Sequence, residues 1–356
     1  MNSINDVLVL QNVNAEISAF KIKDVSFSVY DNEILVVLGE NGAGKTKLLE
    51  TIAGFLPVVS GRIGLFGEDI ANKAANERNI GFIFQGLSLF PHLSVKENIL
   101  YGARFQVIPN LDREFKKLVR LFKLDNFLDR FPKTLSGGEQ QKVALARTLI
   151  TNPKIVFLDE PTSALSPKER ERVSIEIKNT LKKLNKSAIF VTHNIEEAHL
   201  VGDRIALMEN GRILQIDTPN EIFYKPNSKT VATFFGETNI YDGLADAQDK
   251  GITAVKVNGL NIFALGNYKQ GAKLKVFIRP ENILLKKRLT RTSARNNFKG
   301  IVKSISFKGP LARVFVDVGF TVAALITKQS LEELEINRGS SVYISFKITA
   351  VHTVEE

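Results

Sequence analysis

At 356 residues the chain exceeds one ordinary domain, and its 44% hydrophobic content can fill more than one core. It has no cysteine, which excludes disulfides and cysteine metal sites and is compatible with a reducing compartment. The net charge of +10 is uneven: residues 241–356 hold 18 Lys plus Arg against 10 Asp plus Glu, while residues 1–240 hold 30 against 28. This balance reads either as a solvated basic surface or as a field that suits anions or an acidic lipid surface.

The opening stretch MNSINDVLVLQNV lacks a cleavage pattern, and no apolar run approaches the roughly 18 residues that span a bilayer. Neither a secretory signal nor a membrane span is expected, so a membrane role would be peripheral. Through about residue 235, the strands EILVVLG, IGFIFQ, KIVFLDE, SAIFVTH and RIALMEN alternate with helical stretches such as GKTKLLETIAG and SPKERERVSIEIKNTLKKLNK. That order predicts an α/β fold with a mostly parallel sheet between helices.

GENGAGKT follows the first of these strands and precedes a helix, the setting a P-loop requires. Gly39, Glu40, Asn41, Gly42, Ala43 and Gly44 would turn backbone N–H groups toward phosphates, Lys45 would reach the β and γ phosphates, and Thr46 would ligate Mg²⁺. The stretch from about 94 to 130 has helical period, with Ser94 and Asp112 as expected caps, and forms the centre of a helical insertion at about 87–150. In LSGGEQQ, Ser136, Gly137 and Gly138 open a helix whose N-terminal N–H groups and dipole suit an anion. In KIVFLDE, Asp159 ends a buried strand and is placed to hold Mg²⁺, and Glu160 is the candidate general base for an attacking water.

From about residue 236 the texture changes to short, Gly-punctuated β runs, which predict a small β barrel or sandwich over 236–356. Lys286, Lys287, Arg288, Arg291 and Arg295 divide it into two β-rich halves, and no internal repeat is legible.

The P-loop, LSGGEQQ and LDEPTSAL stand in the order and spacing of the ATP-binding cassette (ABC) ATPases, which the first 235 or so residues resemble. The resemblance implies an α/β P-loop NTPase with a RecA-like core and helical subdomain over residues 1–235, binding ATP and Mg²⁺. It further implies that Gln85 is the Q-loop glutamine, contacting Mg²⁺ or water where a membrane partner docks, and that His193 is the switch histidine at the γ-phosphate. Two such chains would pair, so that Ser136, Gly137 and Gly138 act on the partner's ATP. Phe20 is placed either to stack on adenine or to fill the core. His92, His199 and His352 fall in no comparable motif and read as structural or solvated. The sequence departs from the family at Ser166 and Asn194, where Asp is usual.

RPENI, from Arg279 to Ile283, resembles a motif in the accessory domain of importer ATPases. TSARN and SFKITAVH resemble the oxyanion-binding, TOBE/Mop-like domain of molybdate and tungstate uptake ATPases, a small all-β, OB-like barrel. That likeness implies oxyanion ligands at Ser293, Ala294, Arg295, Lys347 and Thr349, and feedback by the bound anion. It also implies a separate permease, an external solute-binding protein, and a peripheral place on the cytoplasmic face of the cell membrane. Other cargoes (sulfate, ferric iron, sugar, polyamine) and a non-transport ABC ATPase are the alternatives. No aromatic and basic interleaving or recognition helix suggests a nucleic-acid partner.

Overall fold

The computed structural model describes residues 6–17, 20–236, 238–290 and 292–355, so Arg291 of the basic run lies outside the described residues. The chain divides into two compact units, Met1–Pro219 and Asn220–Glu356.

In the first unit, β1 (Asp6–Ile17), β2 (Phe20–Tyr30), β3 (Ile34–Leu38), α1 (Lys45–Ala53), β4 (Ser60–Leu65), β5 (Glu68–Asp69) and β6 (Ile80–Ile83) come first. The helical part follows as α2 (Val95–Leu100), α3 (Leu111–Phe122) and α4 (Gly137–Leu149). The unit closes with β7 (Ile155–Asp159), α5 (Pro167–Lys183), β8 (Ala188–Thr192), α6 (Ile195–Val201), β9 (Arg204–Glu209) and β10 (Arg212–Asp217).

The order β10-β9-β3-β8-β7-β6 makes a six-stranded sheet in which only β10 runs antiparallel to its neighbour. Every residue of β3, β7 and β8 is buried, as expected for parallel strands covered on both faces. Leu38 pairs with Thr192, and Asp159 with Val191, so the chain leaves β3, β8 and β7 along one carboxyl edge. Ligands bind at such an edge because helix N-termini and loop N–H groups converge there. A second sheet, β2-β1-β4-β5, is antiparallel.

Ser94 caps α2 as expected, in a capping box with Glu97. Asp112 does not cap α3: the N-cap is Asn110, at φ 53°, and Asp112 lies in the first turn. Asn tolerates the left-handed region, while an acid inside the first turn favours the positive helix end.

Arg78 is 3% exposed and spends its guanidinium on carbonyls: Lys73 O at 2.9 Å, Thr51 O at 3.2 Å, Ile52 O at 2.7 Å and Ala71 O at 2.9 Å. It thereby closes the C-terminal end of α1, the helix that carries Lys45 and Thr46. Arg78→Met deprives these carbonyls of the guanidinium, leaving only Thr51 O with another donor, the Gly54 N–H, and is expected to destabilise the unit by about 2–4 kcal/mol, read as a lower urea midpoint at unchanged slope.

At the division lies α7 (Pro219–Tyr224), followed by α8 (Lys229–Phe234). The sequence texture put the boundary near 236, but this stretch is tied to the second unit: Arg279 donates to Phe223 O at 2.7 Å and Gly236 O at 3.4 Å. His352 Nε2 is 3.0 Å from Pro226 O. The strands are β11 (Asn239–Asp249), β12 (Ile252–Val257), β13 (Leu260–Leu265), β14 (Lys273–Ile278), β15 (Leu284–Lys286), β16 (Asn296–Lys308), β17 (Leu311–Asp317) and β18 (Thr321–Thr327). They end with α9 (Lys328–Glu333), β19 (Ser341–Phe346) and β20 (Val351–Glu355).

These strands form two five-stranded antiparallel sheets, ordered β13-β12-β11-β14-β20 and β18-β17-β16-β19-β15, sharing one apolar core. The two sheets have the same plan. Each opens on an Asn (Asn239, Asn296) that bonds the backbone of a strand in the other sheet, Ala323 or Phe263. Each central hairpin is followed by a strand, a 3-10 turn and a last strand that crosses to the other sheet. The turns begin at Arg279 and Lys347, with φ −70° and −74°, and end at Ile283 and Val351, both at φ −99°. This is an internal duplication that the sequence hides, since 273–286 and 341–354 share no identical residue in register.

Candidate functional site

The P-loop lies between β3 and α1, and space demands its glycines at 39 and 44. A Cβ at Gly39 would sit 2.3 Å from Met208 O, and one at Gly44, at φ 105°, would sit 2.4 Å from Phe20 Cζ. Phe20 therefore lies against the loop. With Asn41, Gly42, Gly44, Lys45, Thr46, Lys47, Gln85 and Glu160 it lines a cavity of about 480 Å³. Of these lining residues, Lys47 alone is not among the candidates named from the sequence.

Lys45 is 5% exposed, and its Nζ donates to Gly39 O at 2.8 Å and Glu40 O at 2.9 Å, with Glu160 Oε1 at 3.8 Å. Burial pushes its pKa down, opposed by the charges of Glu160 and Asp159. Thr46 Oγ1 donates to Asp159 Oδ1 at 3.0 Å. Burial raises the Asp159 pKa, against that hydrogen bond and with the help of the Glu160 charge. Glu160 takes φ 42°, a left-handed conformation costly for a side chain with a Cβ, as the chain turns off β7. The turn brings Glu160 Oε1 to 3.1 Å from His193 Nδ1.

Ser136 is the N-cap of α4; its N–H and its hydroxyl both donate to Glu139 Oε2, at 2.7 and 2.8 Å. A Cβ at Gly137 would meet Leu165 Cδ2 at 2.8 Å, whereas Gly138 has room. Ser136, Gly137 and Gly138 do not line the P-loop cavity of their own chain. Ser166 caps α5 and donates to Glu169 Oε2 at 2.6 Å. Asn194 caps α6, its Oδ1 accepting Glu197 N–H at 2.8 Å, so Asn supplies the acceptor that the usual Asp would.

In the second unit, Ser293, Ala294, Lys347 and Thr349 line one cavity of about 830 Å³, together with Thr292, Tyr268, Arg279 and His352 among others. Lys347 is exposed and begins the 3-10 turn, one residue past the end of β19. The Ala294 N–H is engaged by Thr292 Oγ1 at 3.3 Å. Arg295 is not brought to this cavity: its guanidinium lies over the Phe263 ring, 4.6 Å from the centroid. Cation–π attraction and the adjacent strand start at Asn296 hold it there. Of the three unassigned histidines, His352 holds Pro226 O, which fits its structural reading.

A P-loop, a carboxylate pair and a histidine on the carboxyl edge of one parallel sheet define a nucleotide-hydrolysing P-loop protein. The ABC transporter family matches residues 22–163, and the TOBE domain family matches residues 292–353. The molybdate/tungstate import ATP-binding protein WtpC of Pyrococcus abyssi is 39% identical over 348 residues, 97% of this chain and 99% of that protein. The protein of the same name from Thermococcus kodakarensis is 39% identical over 84% of this chain and 89% of its own length. The spermidine/putrescine import ATP-binding protein PotA of Aggregatibacter actinomycetemcomitans is 38% identical over 74% of this chain and 73% of its own.

Among solved structures, a nucleotide-free ATP-binding cassette from an ABC transporter aligns with a TM-score of 0.56 and 26% identity, over 65% of this chain and 100% of that one. The cbiO1 subunit of a Clostridium perfringens ABC transporter complex aligns at 0.56 and 27%, over 61% and 90%. The chain belongs to the ATP-binding subunits of ABC transporters, and it is an ATP-binding ATPase. Subunits of this class work with membrane permease components, and among the described residues no helix is long and apolar enough to cross a membrane.

Proposed function

We propose that the chain powers an importer for molybdate or tungstate, as a homodimer on the cytoplasmic face of the membrane, with separate permease subunits and an external solute-binding protein. The near end-to-end match to proteins of that name carries the reading. The gathering of Ser293, Ala294, Lys347 and Thr349 around one cavity supports it. An anion at Ser293 and Lys347 would fill one corner of that space and meet hydroxyl and ammonium donors.

In the first unit, Lys45 trades the carbonyls of Gly39 and Glu40 for the β and γ phosphates, and Phe20 offers its face to adenine. The hydroxyl of Thr46, the carboxylate of Asp159 and the amide oxygen of Gln85 are hard donors that suit Mg²⁺. Among the described residues no cluster of three or more His, Asp and Glu could hold a metal alone, which fits an ion completed by phosphate oxygens. When bound, the ion neutralises charge on the β and γ phosphates. Glu160 polarises the attacking water, and His193, 3.1 Å from it, contacts the γ-phosphate. Gly137 and Gly138 of the second copy complete the site as N–H donors at the helix N-terminus, and Ser136 joins them once its N–H and hydroxyl leave Glu139. Cassette closure pulls the permease through the Q-loop at Gln85, and hydrolysis releases it.

Oxyanion accumulating inside would bind the second unit and favour the separated cassettes, slowing turnover by population shift. Calorimetry of the full chain with molybdate, tungstate, sulfate and spermidine tests this, alongside ATPase assays with each. Molybdate or tungstate is expected to bind and inhibit. Ser293→Ala and Lys347→Ala each lower affinity about tenfold or more. Sulfate or spermidine binding with neither metal oxyanion bound overturns the cargo.

A further inference from the structure

Glu197 is a carboxylate that the hydrolytic scheme above does not use, and it is 4% exposed in the first turn of α6. Its donors are three buried hydroxyls from three separate elements. Oε1 accepts from Thr162 Oγ1, in the turn after β7, and from Ser174 Oγ of α5 at 2.6 Å. Oε2 accepts from Thr192 Oγ1, the last residue of β8. Thr192 Oγ1 in turn accepts the Asn194 N–H at 3.0 Å, and Asn194 Oδ1 accepts the Glu197 N–H at 2.8 Å. The hydrogens are fully assigned: each hydroxyl has one proton, and each gives it to the carboxylate.

Thr162 stands two residues after Glu160, and Thr192 stands one before His193. The carboxylate therefore bridges the two backbone turns that deliver this pair, in a buried site where hydrogen bonds resist displacement. One of those turns is already strained, with Glu160 at φ 42°. Residues held in such a conformation stay there only where their surroundings over-determine them.

We propose that Glu197 is a positioning residue for hydrolysis, fixing the turn after β7 to the turn after β8 so that Glu160 and His193 keep their 3.1 Å contact. It touches neither nucleotide nor water. The proposal rests on the roles given to Glu160 and His193 above, and it adds a specific cause for their alignment. An amide in its place accepts on one atom only and turns an NH₂ toward a hydroxyl that is itself a donor. One link of the bridge is then lost while the volume is kept.

The test is steady-state hydrolysis and nucleotide binding by the full-length chain. Glu197→Gln is expected to lower kcat about tenfold or more while KM and ATP Kd stay within about twofold, because misplacement affects the reacting geometry more than ground-state binding. Thr162→Val and Thr192→Val, each deleting one donor, should lower kcat in the same way. Thr162→Ser and Thr192→Ser, which keep the hydroxyl, should recover it to within about twofold of wild type. Should Glu197→Gln not fold, the four threonine variants decide the matter. A kcat within about twofold of wild type in Glu197→Gln, or in both valine variants, overturns the proposal, as does a loss shared equally by Kd. Glu160→Gln assayed in parallel separates the two ideas: full turnover there sinks the role of Glu160, whereas a dead Glu160→Gln beside an active Glu197→Gln sinks only that of Glu197.

Discussion

Glu160→Gln is expected to bind ATP normally and to hydrolyse it about 10²- to 10⁴-fold more slowly, the contribution of a positioned general base. The substitution keeps the shape and leaves an acceptor for His193, which lies 3.1 Å away, but it removes the group that can take a proton from water. It also removes a negative charge 3.8 Å from Lys45, so nucleotide affinity should hold or rise. Because hydrolysis is the proposed signal for separation, the variant should accumulate as an ATP-bound dimer, seen by size-exclusion chromatography with and without ATP. Wild-type turnover would remove Glu160 as the base; loss of ATP binding would move its role to the ground state.

Lys45→Ala should abolish detectable hydrolysis by a different route, lowering ATP affinity by about a hundredfold or more through the lost charge-assisted bonds to phosphate. Two loop carbonyls, Gly39 O and Glu40 O, also lose their donor, so the loop itself relaxes. A fluorescent ATP analogue titrated into the variant measures the first effect directly. In the wild type, burial already holds the Lys45 pKa below its ordinary 10.5. Raising the pH therefore strips its proton earlier than from a free lysine, and ATP affinity should fall on the alkaline side before 10.5 is reached. Bound phosphate restores the proton, so ATP binding in that range should be accompanied by proton uptake. Binding that is insensitive to alkaline pH would mean that Lys45 carries little of the phosphate interaction.

The nucleotide chemistry was legible because its requirements are local. A Gly run imposes the loop conformation, and the strand KIVFLDE delivers Asp159 and Glu160 together to one sheet edge. Glu197 carried no comparable signal, since its hydroxyl partners Thr162 and Ser174 lie 35 and 23 residues away and only the folded sheet brings them together. Basic residues near an expected anion site were similarly ambiguous: Lys347 reaches the cavity, and Arg295 lies on Phe263. At Asp112 and Asn110, two cap-forming residues stood close together, and backbone handedness chose between them. The duplication was hard to see because hydrogen-bond plan and turn dihedrals can be kept while most side chains change, the opening Asn239 and Asn296 being kept.

The crossing of the last strands binds the two copies of that duplication to one fate. Residues 239–286 supply β11, β12, β13 and β14 to one sheet and β15 to the other; residues 296–355 return four strands to the second and β20 to the first. The segment matched by the TOBE domain family, 292–353, is thus half of an exchange, and excised alone it would leave β20 without β14. A chain severed between the halves would regain the domain only by fragment association. Such interlocking over one shared core should make the second unit unfold in a single transition despite its two-fold plan.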